Sequence, residues 1–234
     1  MSTNDQVDPV LLEVMWSRLV SITDEQAAAL IRTAFTAVVS QSEDIAAGLF
    51  DSEGRMVAQS ESGTPGHINS MANAVQHFVV RFPESDLEPG DVLITNDPWI
   101  SSGQLHDITV VTPVFHKGVV VAYMASTIHV IDIGGRPLGA DAPSVFEEGF
   151  FIPITHLYKA GSPNNFLFEL IEANVRYPRE VLGDIHAQVV ANEVGQRRLT
   201  ESLKEFELED LRELSAIIRS RSKTIVGKSV SPLP

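Results

Sequence analysis

The 234-residue chain contains no cysteine. This absence excludes a disulfide framework, a thiolate metal site and a cysteine nucleophile. Basic residues are also scarce, since 17 lysines and arginines stand against 31 aspartates and glutamates, which gives a formal net charge of −14. A field of this sign repels polyanions, so nucleic acid and anionic membrane surfaces are not expected partners.

Several common sequence devices are missing as well. The chain has neither the Gly-x-x-x-x-Gly-Lys-Ser/Thr loop nor the Gly-x-Gly-x-x-Gly fingerprint by which many proteins hold a nucleotide. It also lacks the Gly-x-Ser-x-Gly elbow of serine hydrolases, a signal-peptide pattern, and any apolar run near the roughly 20 residues of a membrane span. With 44% hydrophobic residues, it is predicted to be a cytoplasmic protein with a substantial core.

The patterns that are present predict an α+β fold, with helices at both ends of a mainly antiparallel β region. Apolar residues recur at helical spacing over 9–40 and again over 164–175 and 179–218. Shorter runs rich in β-branched residues lie between these segments and are typical of strands. We therefore expect one domain over 8–218, followed by a loose tail over 219–234.

One predicted hairpin carries the clearest candidate for chemistry. Residues 108–115 and 119–127 are rich in β-branched types and are joined by a short His-Lys-Gly turn. Pairing of these strands places Asp107 next to His129, with His106 adjacent, and carboxylate and imidazole ligands suit zinc, manganese or iron(II). The alternative is that Asp107 caps a turn and His129 makes an ordinary hydrogen bond.

Two other segments could border a site. His67 lies at the start of a helix expected over 68–81, where free N–H groups could receive an anion or a carbonyl oxygen. The alternative is an ordinary helix cap by Asn69 or Ser70. Residues 133–148 are rich in glycine and proline, and a loop of this length is expected to cover a site.

Seven segments, in a fixed order, identify a family resemblance. They are SEDIAAGLFDSEGRMVAQ, GTPGHINSM, GDVLITNDPW, LHDITVVTPVF, IHVIDIGG, EEGFFIPITHLYKAG and ANVRYPREVLGDIHAQVVANEVGQRRL. Over residues 8–206 the chain resembles the B-type subunit of the hydantoinase B/5-oxoprolinase family, which includes N-methylhydantoinase B and the large subunits of acetone and acetophenone carboxylases. Members of that family are longer, and the chain resembles roughly their N-terminal half.

The resemblance implies a subunit with a divalent metal, held here by Asp44, Asp107 and His129. A separate A-type subunit is expected to bind ATP and to activate a cyclic amide or a ketone, which the B-type subunit then hydrolyses or carboxylates. The family usually has a histidine where this chain has Gln104, a poorer ligand for transition metals, and His106 or water is expected to complete the set. The alternative is a truncated, catalytically silent fragment that only binds the partner subunit.

Overall fold

The computed structural model describes residues 9–101, 103–137, 139 and 141–229, with side chains described from Val10 to Ser222. The helices are Pro9–Thr33 (α1), Ala37–Ser40 (α2), Pro65–Arg81 (α3), Val145–Glu148 (α4), Asn165–Asn174 (α5), Pro178–Glu205 (α6) and Arg212–Ser229 (α7). In the described ranges, no helix combines the length and the apolar character needed to cross a lipid bilayer.

The β region forms a single seven-stranded sheet. Its strands are Ile45–Asp51 (β1), Met56–Gln59 (β2), Val92–Thr95 (β3), Asp107–His116 (β4), Val119–His129 (β5), Thr155–Lys159 (β6) and Ser162–Pro163 (β7). They are arranged in the order β2-β1-β5-β4-β3-β6-β7, and every neighbouring pair is antiparallel. The predicted α+β fold, with helices at both ends of an antiparallel β region, is therefore confirmed.

Strands β4 and β5 form the predicted hairpin at the centre of this sheet. Their pairing runs from Asp107 opposite His129 to His116 opposite Val119. The two turn residues between them, Lys117 and Gly118, have positive φ values of 51° and 86°. Two positive φ values are what a two-residue turn needs to match the twist of the strands that it joins, so the turn favours this register.

The two faces of the sheet contact different helices. Along β1, the side chains of Ile45, Ala47 and Leu49 pack into the core formed with α1 and α6. Those of Ala46 and Phe50 point the opposite way and pack into a second core with α3. This alternation follows from the period of two in a strand, and it assigns each residue of the central strands to one face.

Helix α6 is attached to its face of the sheet by buried amides as well as by apolar contacts. The side-chain Nε2 of Gln188 donates to the carbonyl oxygens of Ile108, at 3.0 Å, and of Ser126, at 2.9 Å. One turn further on, Asn192 Nδ2 donates to the carbonyl oxygen of Val110 at 3.2 Å. These hydrogen bonds join one helix to the backbone of both β4 and β5.

The C-terminal part of the chain differs from the prediction. The single helix expected over 179–218 is instead the pair α6 and α7, and Glu207 between them has a positive φ of 54°. Leu214 and Ile218 of helix α7 pack into the core with α1. The helix itself extends to Ser229, so the loose tail expected over 219–234 is wrong for residues 219–229. Residues 230–234 lie outside the described part of the chain, and the domain boundary stays a prediction.

Candidate functional site

Three strand ends meet at one end of the sheet. Asp107 begins β4 and lies opposite His129, the last residue of β5. The backbone N–H of His129 donates to the carbonyl oxygen of Asp44, directly before β1, at 3.2 Å. By alternation, Asp107 and His129 lie on the face where Val111 and Ala125 pack against α3. The structure thus brings the sequence-predicted residues together.

The pair formed by Asp107 and His129 is almost completely buried. His129 Nδ1 lies 2.8 Å from Asp107 Oδ1, and Asp107 is only 1% exposed. The other oxygen of this carboxylate, Oδ2, is buried and has no hydrogen-bond partner among the described residues. Buried carboxylate oxygens are normally satisfied, so an unpartnered one marks a place where a positive charge or a donor is missing.

Helix α3 adds a residue that the predicted metal set did not contain. The helix begins at Pro65, and its first turn places His67 between the two carboxylates. His67 Nε2 lies 2.9 Å from Asp44 Oδ1, and His67 Nδ1 lies 3.9 Å from Asp107 Oδ2. Thr64 Oγ1 donates to the same Asp44 oxygen at 2.6 Å. The only sequence signal for His67 was its position at a helix start.

His106 lies on the other side of this cluster. Its ring stacks on His129, with 5.3 Å between the ring centroids and 10° between the planes. Its Nδ1 atom is buried without a hydrogen-bond partner among the described residues. Burial lowers the pKa of His106, the charge of His129 lowers it further, and Glu148 acts in the opposite direction. His106 therefore favours the neutral state in which imidazole binds metals.

The loop before β4 also reaches the cluster, through Gln104. Its Nε2 lies 3.5 Å from His129 Nδ1, at the position where the resemblance implies a histidine. The loop is held in place because the backbone N–H of Leu105 donates to Glu148 Oε2 at 3.1 Å. Asn96 Nδ2 in turn donates to the carbonyl oxygen of Leu105 at 2.8 Å. The end of the glycine- and proline-rich loop thus packs against the segment that carries Gln104.

The donor atoms of this cluster fit a divalent cation in their chemistry. Carboxylate oxygens and neutral imidazoles are ligands for zinc, manganese and iron(II), and the unpartnered Oδ2 of Asp107 supplies a buried negative charge. As they stand, no three His, Asp or Glu side chains of the described residues are arranged to hold a metal ion. Donor atoms hydrogen-bond to each other, as in the pair of Asp107 and His129, and metal binding would displace that proton.

Comparison with known proteins places this site in a family context. The family model for hydantoinase B/oxoprolinase matches residues 8–234. Caprolactamase subunit beta of Pseudomonas jessenii is 31% identical over 209 residues, which are 88% of this chain and 36% of that protein. The 5-oxoprolinase of Dictyostelium discoideum is 32% identical over 210 residues, which are 87% of this chain and 16% of that protein. The chain therefore spans well under half the length of these curated relatives.

Solved structures show the same fold. The crystal structure of ATP-dependent caprolactamase from Pseudomonas jessenii superposes with a TM-score of 0.88 and 28% identity, over 98% of this chain and 40% of that chain. A nucleotide-free structure of acetone carboxylase superposes with a TM-score of 0.78 and 20% identity, over 89% of this chain and 27% of that chain. At 20% identity the second likeness concerns the fold alone.

Proposed function

Because the chain belongs to the hydantoinase B/oxoprolinase family, we propose that it supplies the metal-binding part of an enzyme that hydrolyses a cyclic amide. In this proposal, an A-type partner subunit binds ATP and activates the amide by phosphorylating its oxygen. The chain described here then directs water to the activated carbon. The names of two relatives, a caprolactamase subunit and a 5-oxoprolinase, support a cyclic amide as the substrate class.

The observation that carries this proposal is the cluster at the end of β1, β4 and β5. Two carboxylates and two imidazoles form a continuous series of contacts, from Asp44 through His67 and Asp107 to His129. One carboxylate oxygen in the series, Asp107 Oδ2, is buried without a partner among the described residues. A cluster of titratable groups at strand ends, on the face bordered by loops, is the arrangement expected of a catalytic centre.

The residues of the cluster have distinct tasks in this proposal. A divalent metal held by Asp44, Asp107 and His129 would polarise an oxygen or activate water, a Lewis-acid contribution of several kcal/mol. Before a metal binds, Asp107 Oδ1 orients the His129 ring through their 2.8 Å contact. Thr64 and His67 fix the position of Asp44. The absence of a phosphate-binding loop in the sequence is consistent with ATP being bound by the partner.

The test is reconstitution with an A-type subunit. The complex is supplied with ATP and, separately, with 5-oxoproline, hydantoin and caprolactam, and the release of ADP and ring-opened product is measured. We expect product and ADP in equal amounts with at least one cyclic amide, and a loss of product with Asp107→Asn. A complex that forms but turns over none of these substrates contradicts the proposal and favours the silent-fragment alternative.

Carboxylation of a ketone is the second candidate, since the solved acetone carboxylase shares this fold. The same complex is assayed with acetone and acetophenone in the presence and absence of bicarbonate. ADP release that depends on both a ketone and bicarbonate would assign the chain to this second reaction. ADP release with a cyclic amide and without bicarbonate excludes it.

A further inference from the structure

Strand β2 leaves one backbone edge of the sheet open. It is the last strand at its end of the sheet, and among the described residues it pairs only with β1. The backbone N–H of Ser60, directly after β2, donates to the carbonyl oxygen of Ala47 in β1 at 3.1 Å. Because the backbone groups of successive residues in a strand point to opposite sides, the N–H and C=O of Gln59 point away from β1. Gln59 therefore offers a donor and an acceptor to another strand.

A groove runs along this open edge. It has a volume of about 470 Å³ and is lined by all four residues of β2. Since side chains alternate between the faces of a sheet, a groove that contacts four consecutive residues follows the backbone edge rather than one face. Trp16 and Val20 of α1 and Ile218 of α7 line its sides. An apolar groove beside an open strand is the arrangement in which an extended peptide adds a strand to a sheet.

Arg219 of α7 indicates which side chain the peptide carries. It lines the same groove, and its Nε is buried without a hydrogen-bond partner among the described residues. Its guanidinium group forms no ion pair with another described side chain. Buried nitrogen donors are normally paired, so an acceptor is missing at this place. A carboxylate is the acceptor that matches a guanidinium group in both charge and geometry.

We propose that the groove between α1, β2 and α7 binds an extended segment of another protein, which pairs with Gln59 and places a carboxylate on Arg219. The net charge of −14 repels a strongly acidic partner, so the segment is expected to be apolar at alternate positions and to carry a single carboxylate. A second copy of this chain fits less well, because its β2 has the sequence MVAQ and contains no carboxylate. The proposal does not depend on the proposed function, since none of these residues belongs to the metal cluster.

The test selects peptides against the full chain. A phage library of random dodecapeptides is panned on the purified protein, and the consensus peptide is synthesised with a fluorescent label. Fluorescence anisotropy then measures its binding to wild type, Arg219→Gln and Gln59→Pro. Proline is tolerated on an edge strand where the N–H faces outward, so Gln59→Pro removes the donor that the peptide would use. Arg221→Gln is the matched control, because Arg221 lies exposed on the same helix.

We expect the consensus to contain one aspartate or glutamate among apolar residues. Arg219→Gln and Gln59→Pro are each expected to weaken binding by at least about tenfold, and Arg221→Gln is expected to match wild type. Replacing the acidic residue of the peptide by its amide should weaken binding to wild type but not to Arg219→Gln, since the two groups act as one pair.

Two results would overturn the proposal. The first is a library that yields no peptide, or peptides that bind both variants as tightly as wild type. The second is a dimer in sedimentation experiments that Gln59→Pro dissociates, which would assign the groove to a second copy of the chain. If Gln59→Pro does not fold by circular dichroism, hydrogen exchange of wild type replaces it, and backbone amides of β2 that gain no protection on peptide binding contradict the pairing.

Discussion

Two buried aspartates at opposite ends of the β3–β4 pair differ in how well they are satisfied. Asp91, directly before β3, accepts hydrogen bonds on both oxygens. Its Oδ1 accepts from the backbone N–H of Ala160 at 2.7 Å, and its Oδ2 accepts from the backbone N–H of Glu88 at 2.9 Å and from Lys159 Nζ at 3.1 Å. Asp107, at the start of β4, has a 2.8 Å contact with an imidazole on one oxygen, and its other oxygen has no hydrogen-bond partner among the described residues.

The electrostatics of Asp91 follow from its donors. Burial acts to raise the pKa of Asp91, but the backbone N–H groups of Ala160 and Glu88 and the ammonium group of Lys159 outweigh it, so the pKa lies below its ordinary value. Asp91 is therefore an ionised group that holds a chain corner together. Asp107 has no such set of donors, so its charge is available to a cation.

The remaining buried aspartates of the described chain resemble Asp91. Asp51, Asp132 and Asp184 each accept hydrogen bonds on both carboxylate oxygens, from backbone N–H groups or from hydroxyl and guanidinium groups. Four of the five buried aspartates in the described ranges thus have both oxygens hydrogen-bonded. A missing donor, rather than burial itself, thus distinguishes Asp107, the proposed metal ligand, from the four structural carboxylates.

The largest expected effect is on stability, when aspartate is replaced by asparagine at position 91 and, separately, at position 107. In Asp91→Asn, an amide group replaces one acceptor oxygen and faces donors, so we expect a loss of about 3 kcal/mol in the free energy of unfolding. In Asp107→Asn, the amide can take the place of the unpartnered oxygen, and the change is expected to stay within about 1 kcal/mol. Urea unfolding of the metal-free proteins measures both, and equal losses would contradict the comparison.

The second effect is on metal affinity, where Asp107→Asn is expected to lose more than Asp91→Asn. Asp107→Asn is expected to lower metal affinity by about 10–100-fold, because it removes a charged ligand. The folded fraction of Asp91→Asn is expected to bind metal as wild type does, since its corner lies at the other end of the strands. Calorimetric titration with Zn²⁺ measures both, and an Asp107→Asn variant with wild-type affinity would show that this carboxylate does not bind metal.

A smaller effect is expected at Gln104. Its amide lies 3.5 Å from His129 Nδ1, so Gln104→His places an additional imidazole at the edge of the cluster. We expect a gain of about tenfold in metal affinity, since imidazole is a better ligand than an amide for transition metals. The control is Gln104→Asn, which keeps the amide. A Gln104→His variant that binds no tighter than wild type would show that residue 104 has no part in the site.

The smallest effect is a difference in acid stability. Because the pKa of Asp91 is lowered in the folded state, its stabilising contribution is present above the ordinary value of 3.8 and is lost as the pH falls through the folded value. The gap in unfolding free energy between wild type and Asp91→Asn is therefore expected to be constant above about pH 5 and to shrink below about pH 4. A difference in unfolding free energy that does not depend on pH would show that Asp91→Asn acts through hydrogen-bond geometry and not through the loss of charge.

The central part of the fold and half of the site follow from local sequence patterns. Two β-branched runs around Lys117 and Gly118 predict the hairpin, and the hairpin alone places Asp107 next to His129. Asp44 joins them through the family resemblance, and the pairing of β1 with β5 explains why it lies there. The hairpin and the proximity of these residues follow from the pairing of neighbouring strands, while their binding of a metal stays a prediction.

Other features depend on contacts that no local pattern encodes. His67 reaches the carboxylates only because α3 packs across the face that carries Asp107 and His129. The break between α6 and α7 contains neither glycine nor proline, and Glu207 adopts a left-handed conformation where the chain turns back on its own core. Tertiary packing overrides propensity at both places.

The buried amides of α6 have a consequence for how this site can change. Gln188 and Asn192 hold carbonyl oxygens of β4 and β5 from behind, so the helix cannot slide along the sheet without breaking several hydrogen bonds at once. The strands that carry Asp107 and His129 are thereby locked in position from the face opposite the site. Substitutions in the loops that border the site can therefore change which molecule it binds without moving β4 and β5. Specificity can then evolve separately from the scaffold.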